Sequence, residues 1–343
     1  MNVGSRKRNQ DRDVPVAPGA RTTHSGRSEG RKVTEHVVWL DDAACHLTEV
    51  TGGKGASLGR MRAAGLPVPG GFVVSAAALS DSLTKVGVLG DVRDLAASFA
   101  AGPQGARIAR EIQDIVRGAP PWEELTEEIR RAYANLGRNV FVAVRSSACA
   151  EDGEAASFAG QQETFLNVVG SDQVLERVVE CWASFFSERA LFYRQNKGSL
   201  TDMGMAVVVQ RQLASDKAGV LFTTDPIRRR TDQMVIEAAF GLGEALVSGL
   251  ITPDNYVVRR DGKLMKVRIG RQSQMIVRRP DGGTTTRDLD DEIASSQVLD
   301  VEEIARLVEV GLRLESVFGS SQDVEWAFEA DQLFVLQSRP ITA

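Results

Sequence analysis

Two segments near the C-terminus carry the clearest chemistry: Asp323-Val324-Glu325-Trp326-Ala327-Phe328 and Leu333-Phe334-Val335-Leu336-Gln337-Ser338-Arg339-Pro340. Folded as an antiparallel hairpin over a three-residue loop, Ala330 to Gln332, they set Glu325 directly opposite Gln337. Opposed residues share a face, and strand alternation then puts Glu325, Gln337 and Arg339 on one face and Trp326, Phe328, Phe334 and Leu336 on the other. A carboxylate, an amide oxygen and a guanidinium backed by aromatics fit a magnesium and phosphate site, since Mg²⁺ takes few oxygens from protein and shares the rest with a nucleotide. The same pattern also describes the solvated face of an edge hairpin, so it needs support from elsewhere in the chain.

Three other constellations supply it. Thr51-Gly52-Gly53-Lys54-Gly55-Ala56-Ser57-Leu58-Gly59 reads as a glycine-rich turn entering a short helix, Ser57 to Ala64, where backbone N–H groups and one lysine make an anion site. It does not have the P-loop spacing. In Ala143-Val144-Arg145-Ser146-Ser147-Ala148 an apolar strand delivers Arg145 at its end, followed by Glu151-Asp152 and the small-residue stretch Ala156 to Thr164. A guanidinium there wants an oxyanion, either a phosphate held by its planar fork or the neighbouring Glu151 or Asp152. The third runs Val207 to Arg211, Gly219 to Pro226 and Glu237 to Glu244, strands ending in glycine-rich turns. Such turns bring backbone close to a ligand, and the apolar strand before Gln210 offers one wall of a base pocket.

The elements that position these residues are short β-rich runs alternating with helical periods, the pattern of a mixed α/β (α+β) domain. Expected strands are Gly71 to Ser75, Asn139 to Arg145, Glu163 to Val168, Met205 to Arg211, Gly219 to Thr223 and Gln233 to Ala238. Between Asp172 and Asn196, Leu175, Val178, Trp182, Phe185 and Phe186 recur at helical spacing and predict one long amphipathic helix. A second helix begins after Asp300, with Glu302 and Glu303 in its first turn and Ile304, Leu307, Val308 and Leu312 along one side. The polar link Arg278 to Asp291 reads as a hairpin tip or mobile loop.

Composition narrows the function. With 43% apolar and 25% charged residues, the 343-residue chain has an ordinary globular make-up and length enough for a real core. Cys45, Cys149 and Cys181 lack CxxC or His-spaced partners, so they suggest neither a disulfide framework nor a zinc site, and read as reduced thiols of a cytoplasmic protein. No apolar run is long enough for a membrane span, and no apolar stretch follows the N-terminal charges as a signal peptide would require. Residues 1 to 36 carry net charge +4 and the remainder −9. Large apolar side chains are nearly absent before Val37, so residues 1–35 are expected to form a disordered basic tail. The acidic body argues against nucleic acid as a partner.

Taken in order, the motifs GGKGAxLG, VRSSAxxED, SFAGQxET, GVLFTxDP, GLGEAxVSG, DxEWA and LQSRPIT each occur once between about Val37 and Thr342. This series resembles the N-terminal ATP-binding domain of the phosphoenolpyruvate synthase, pyruvate phosphate dikinase and rifampicin phosphotransferase family. The resemblance implies an ATP-grasp fold over 36–343, with lobes of roughly 36–205 and 206–343 and ATP between them. It implies a phosphoryl transfer from Mg-ATP to a histidine on a separate swivelling domain. Residue by residue, Lys54 and Arg145 would meet the ATP phosphates, Gly160 and Thr164 would belong to the loop closing over them, and Gln210 would lie by the adenine. Glu325 and Gln337 would hold Mg²⁺, with Arg339 on the phosphates. Two departures are Ser57, where asparagine is usual, and Gln212, where methionine is common.

Only His24, His36 and His46 are present, none in a motif resembling the family's histidine loop. The expected function is therefore an ATP-binding phosphotransferase subunit, incomplete alone, serving a partner chain that carries the phosphohistidine and passes phosphate to a small molecule. Two alternatives stay open: an ATP-grasp enzyme acting directly on a small acceptor, and a non-catalytic nucleotide-binding remnant or fragment.

Overall fold

The computed structural model describes residues 36–149, 163–228, 230–279 and 282–341. The expected tail over 1–35, Gly160 with most of its loop, and Glu151 and Asp152 lie outside the described residues. The fold is mixed α and β, as the sequence pattern predicts, and is built around two antiparallel sheets.

The first sheet has five strands in the order β1-β2-β5-β3-β4: β1 Val37–Trp39, β2 Gly71–Val74, β3 Val142–Ala148, β4 Thr164–Val168 and β5 Met205–Arg211. Helix α1 (Thr48–Ala63) joins β1 to β2, and α2 (Ala76–Val86), α3 (Leu89–Ala97), α4 (Pro103–Arg117) and α5 (Glu123–Leu136) join β2 to β3. The expected single helix from Asp172 to Asn196 is two, α6 (Ser171–Ser184) and α7 (Glu188–Lys197). Ser187 interrupts it by capping α7, its hydroxyl accepting from the Ala190 N–H. The break lets Phe185 and Phe186 both turn inward, their rings edge to face at 5.3 Å.

The second sheet has six strands in the order β13-β12-β6-β7-β8-β9: β6 Lys217–Phe222, β7 Gln233–Phe240, β8 Asp254–Arg259, β9 Leu264–Arg268, β12 Gln322–Glu329 and β13 Gln332–Pro340. Short α8 (Glu244–Val247) follows β7, and the expected polar link Arg278 to Asp291 holds a strand as well as a hairpin tip, since β10 (Gln274–Arg278) pairs with β11 (Thr284–Asp288). After α9 (Asp291–Ala294), α10 (Val301–Phe318) starts at the expected place with a capping box, Asp300 accepting from the Glu303 N–H while Glu303 accepts from the Asp300 N–H. Glu303 is also buried, and its carboxylate holds Lys217 at 2.8 Å.

One apolar core runs under both sheets, from Leu58 and Met61 of α1 through Ala206 and Val208 to Leu221, Ile236, Leu307 and Trp326. A second fills the helical side of the first sheet around Trp182, Phe186, Leu79 and Ile112. All of β5 pairs with β2 and β3, so a boundary at 205/206 falls within the first sheet and the change of sheet comes after Arg211.

Candidate functional site

The β12–β13 hairpin turns through Ala330 and Asp331 alone, both left-handed with φ of 48° and 60°, so that Glu329 faces Gln332. That is one residue tighter than the expected loop. Pairing then runs to Trp326 opposite Val335, where the register slips, Leu336 is left over as a bulge, and Glu325 comes to face Gln337. The expected pair is thus formed by a short turn compensated by a bulge. Because an extra residue reverses which face follows, Phe334 lies opposite Ala327 on the Glu325 side and not with Trp326. Phe334 and Leu336 pack there against Leu213, Ala218 and Ala327, an apolar patch where the chain passes between the sheets. Trp326 and Phe328 occupy the other face, in the core under α10.

Arg145 reaches this hairpin from the first sheet. Its place in β3 puts it beside Val208 and Thr164 on one face, with Gln210 next to Ala143 on the same side. Its side chain is 11% exposed, and Nη2 lies 3.8 Å from the half-open Glu325 carboxylate. Nη1 donates to the Leu336 carbonyl at 3.3 Å and Nη2 to Gln337 Oε1. Its Nε–H is buried with no partner among the described residues.

Lys54 is fixed next to it by the way α1 begins. The helix breaks at Gly52, whose φ of 68° is left-handed, and restarts at Gly53, earlier than the expected Ser57. No side chain fits at Gly52, where a Cβ would stand 2.2 Å from the Ser147 carbonyl oxygen. That approach lets Ser147 Oγ donate to Thr51 O at 2.9 Å and accept from the Gly55 N–H at 3.2 Å. Lys54 Nζ donates to Ser146 O at 3.1 Å, one residue beyond Arg145. The remaining glycines of this stretch are helical and allow tight packing, as Gly59 does against Cys45.

Thr164 opens β4 opposite Arg145 and is exposed. Gln210 is 3% exposed, and its amide donates to Pro69 O at 3.4 Å. Arg339 lies on the Glu325 side, bonded through Nε to Asp323 Oδ2 at 2.8 Å. Asp323 was not among the residues expected from sequence, although its spacing of two from Glu325 puts both on one face. Ser57 donates to Ser338 O at 3.1 Å, and Val335 N donates to Pro67 O at 2.8 Å, so α1 and the turn after it are stitched to β13. The glycine-rich turn after β7 meets protein, since a Cβ at Gly241 would lie 2.4 Å from Ile276 O. Burial there holds the Glu244 carboxyl above the usual range, against a weak bond from Thr284.

Lys54, Arg145, Thr164 and Gln210 thus come from the first sheet and its helix, and Glu325, Gln337 and Arg339 from the second. Arg145 stands against the Glu325 and Gln337 oxygens, Arg339 lies two residues along from Gln337 on Asp323, and Lys54 reaches the Ser146 carbonyl beside Arg145 in the chain. Among the described residues no group of three His, Cys, Asp or Glu stands together. The oxygens of Glu325 and Gln337 suit a divalent cation that completes its shell from a phosphorylated ligand. No helix of the described residues is long and apolar enough to cross a membrane.

Comparison with known proteins identifies the family of the chain. Residues 48–343 match the family described as pyruvate phosphate dikinase, AMP/ATP-binding domain. A probable phosphoenolpyruvate synthase of Archaeoglobus fulgidus is 45% identical over 89% of this chain and 41% of its own length. A rifampicin phosphotransferase of a Streptomyces species is 40% identical over 89% of this chain and 36% of its own. The chain therefore spans less than half the length of these relatives. Among solved structures, D-alanyl-alanine synthetase A from Vibrio cholerae aligns over 69% of this chain and 55% of its own at 10% identity, with a TM-score of 0.28.

Proposed function

As this chain belongs to the family of pyruvate phosphate dikinase AMP/ATP-binding domains, we propose that it binds Mg-ATP between its two sheets in the ATP-grasp manner and transfers a phosphoryl group to a histidine on a separate partner domain. That domain would pass phosphate on to a small molecule. The observation that carries the reading is the contact of Arg145 with Gln337 and Glu325 across the two sheets. A guanidinium with a spare buried N–H, resting on the oxygens expected to hold magnesium, occupies the place of a phosphate's counter-charge.

On nucleotide binding Arg145 exchanges the Gln337 amide for phosphate oxygens and leaves Glu325 and Gln337 to the metal. Lys54 and Arg339 add charge from either side, Arg339 giving up Asp323. Gly160 and Thr164 close over the phosphates, the base lies by Gln210, and Phe334 and Leu336 offer it an apolar floor. Bound magnesium supplies charge neutralisation on the phosphate oxygens. The protein's part is positioning and preorganised positive charge.

The acceptor histidine comes from outside this sequence. His36 bonds Asp81 at 2.9 Å and stacks edge-on against Trp122, and His46 sits in a short turn beside α1. His24 lies outside the described residues.

Calorimetric titration tests the site. Wild type is expected to bind Mg-ATP in the micromolar range, about −8 kcal/mol. Arg339→Ala should lose about 2 kcal/mol of that. Absence of binding by wild type at millimolar Mg-ATP, or equal binding by the variant, would sink the assignment.

A further inference from the structure

Glu237 belongs to a motif that the phosphate and metal assignments leave unused. Across the second sheet, at the level of the Glu325–Gln337 pair, Gln337, Glu325, Val220, Glu237 and Asn255 oppose one another in turn on β13, β12, β6, β7 and β8. Opposed residues share a face, so all five look the same way. The other face is taken by α10, whose Gly311 lies over Leu221 and Met234. At the β13 end the row is closed by the first lobe, through Arg145 on Leu336 and Gln337 and Ser57 on Ser338. From the metal pair the row continues over β6 to Glu237 on β7 and Asn255 on β8, both partly exposed.

Glu237 is half-buried in an apolar setting, with Val235 and Ala239 two residues along the same face. Among the described residues its carboxylate has neither a hydrogen bond nor an ion-pair partner, and the Asn255 amide has none either. A partly desolvated carboxylate without a donor is costly to keep in mid-sheet, and each such group needs an explanation. Its Cα lies two strand spacings from that of Glu325, about 10 Å. A metal-held phosphate and an attacking imidazole ring fill such a gap.

We propose that Glu237, assisted by Asn255, receives the ring N–H of the imidazole acceptor and turns the other ring nitrogen toward the phosphate. The inference rests on the phosphoryl-to-histidine reading above. The free nitrogen lone pair forms the P–N bond as the P–O bond to the departing nucleotide breaks, the electron pair leaving on the nucleotide's phosphate oxygen. The N–H proton stays in its hydrogen bond, and the carboxylate offsets the positive charge that the ring gains. The arrangement fixes one tautomer of the acceptor, as carboxylates do for imidazoles elsewhere.

The test compares imidazole with 1-methylimidazole, which has no N–H to give, by ligand-observed NMR titration into protein saturated with Mg²⁺ and a non-hydrolysable ATP analogue. Wild type should bind imidazole about tenfold more tightly, the size of one hydrogen bond to a charged group. Glu237→Ala should bind both equally while keeping its affinity for the analogue. Should Glu237→Ala not fold, Glu237→Gln, with a weaker acceptor, should cut the preference to about threefold or less. A preference that survives in the variant, or is missing from nucleotide-loaded wild type, overturns the role of Glu237 and leaves the nucleotide site intact. Failure of wild type to take up the analogue removes both readings.

Discussion

Arg194 and Arg145 are both buried arginines, and the regions around them use the same side chain in opposite ways. Arg194 on α7 donates to the carbonyls of Ser199 at 3.3 Å, Phe185 at 3.3 Å and Leu200 at 2.7 Å, and also to that of Asp202, with its guanidinium carbon 4.0 Å from the centre of the Phe185 ring. Burial draws its pKa down to about 10, with Asp202 acting the other way, so it stays charged at neutral pH. Its donors are consumed by the chain that turns around it. Arg145 meets one carbonyl and an amide oxygen that can be withdrawn, and keeps a buried N–H in reserve. A saturated guanidinium is a structural joint, while an unsaturated one has donors left to offer a ligand.

The largest effect that would sharpen this contrast is on stability at Arg194. Arg194→Leu leaves several buried carbonyls without donors and should cost about 3 kcal/mol or more, read from the chemical-denaturation midpoint. The folded fraction should bind Mg-ATP as wild type does. For Arg145→Ala the pattern should invert, with Mg-ATP binding weakened by about 2 kcal/mol and the denaturation midpoint moved by about 1 kcal/mol or less. Equal losses of stability in the two variants would break the comparison.

The smallest expected effect concerns an acid of the saturated kind. Asp225 is 2% exposed and accepts from the N–H groups of Ile227 at 3.0 Å and Arg228 at 2.9 Å. Burial alone would raise its pKa, but the Arg228 and Ile227 amides and the Arg228 guanidinium outweigh it and hold the carboxyl below the usual range. The unfolded chain therefore takes up this proton first. The stabilisation is whole above the ordinary carboxylate pKa, about 4, and fades as pH falls through the lower folded value. Amide exchange at Ile227 and Arg228 should stay slow at pH 5 and quicken only below about pH 4, beyond the chemical pH dependence of exchange itself.

The sequence made the two sheets legible where alternation or apolar runs were strong, as in Met205 to Arg211, which is β5 to the residue. It misjudged local interruptions. The helical stripe through Trp182, Phe185 and Phe186 hides the Ser187 cap because the aromatics on both sides serve one core. The Glu325–Gln337 pairing came out as expected through two cancelling errors, a loop one residue too long and a bulge not foreseen. Leu336 looks like any strand leucine, so nothing local announces the bulge, and alternation alone puts Phe334 and Leu336 on the wrong face. Asp323 and Glu237 were visible as residues but not as site neighbours. The spacing of two already puts Asp323 on the face of Glu325, whereas the place of Glu237 level with Glu325 depends on which strands lie side by side, a long-range fact that spacing within one segment does not hold.

The bonds that tie β13 to the first lobe also bear on how copies of the chain meet. A sheet of six strands has two outer strands, and an outer strand with free N–H and C=O groups invites pairing with a neighbouring molecule. On β13 the Val335 N–H is spent on Pro67, and the Leu336 and Ser338 carbonyls on Arg145 and Ser57. On β9, at the far side, Lys266 and Arg268 stand exposed and repel a like strand. On the proposed exchange of the Gln337 amide for phosphate, the Leu336 and Ser338 carbonyls and the Val335 N–H would keep their partners, so nucleotide binding would not open a sticky rim.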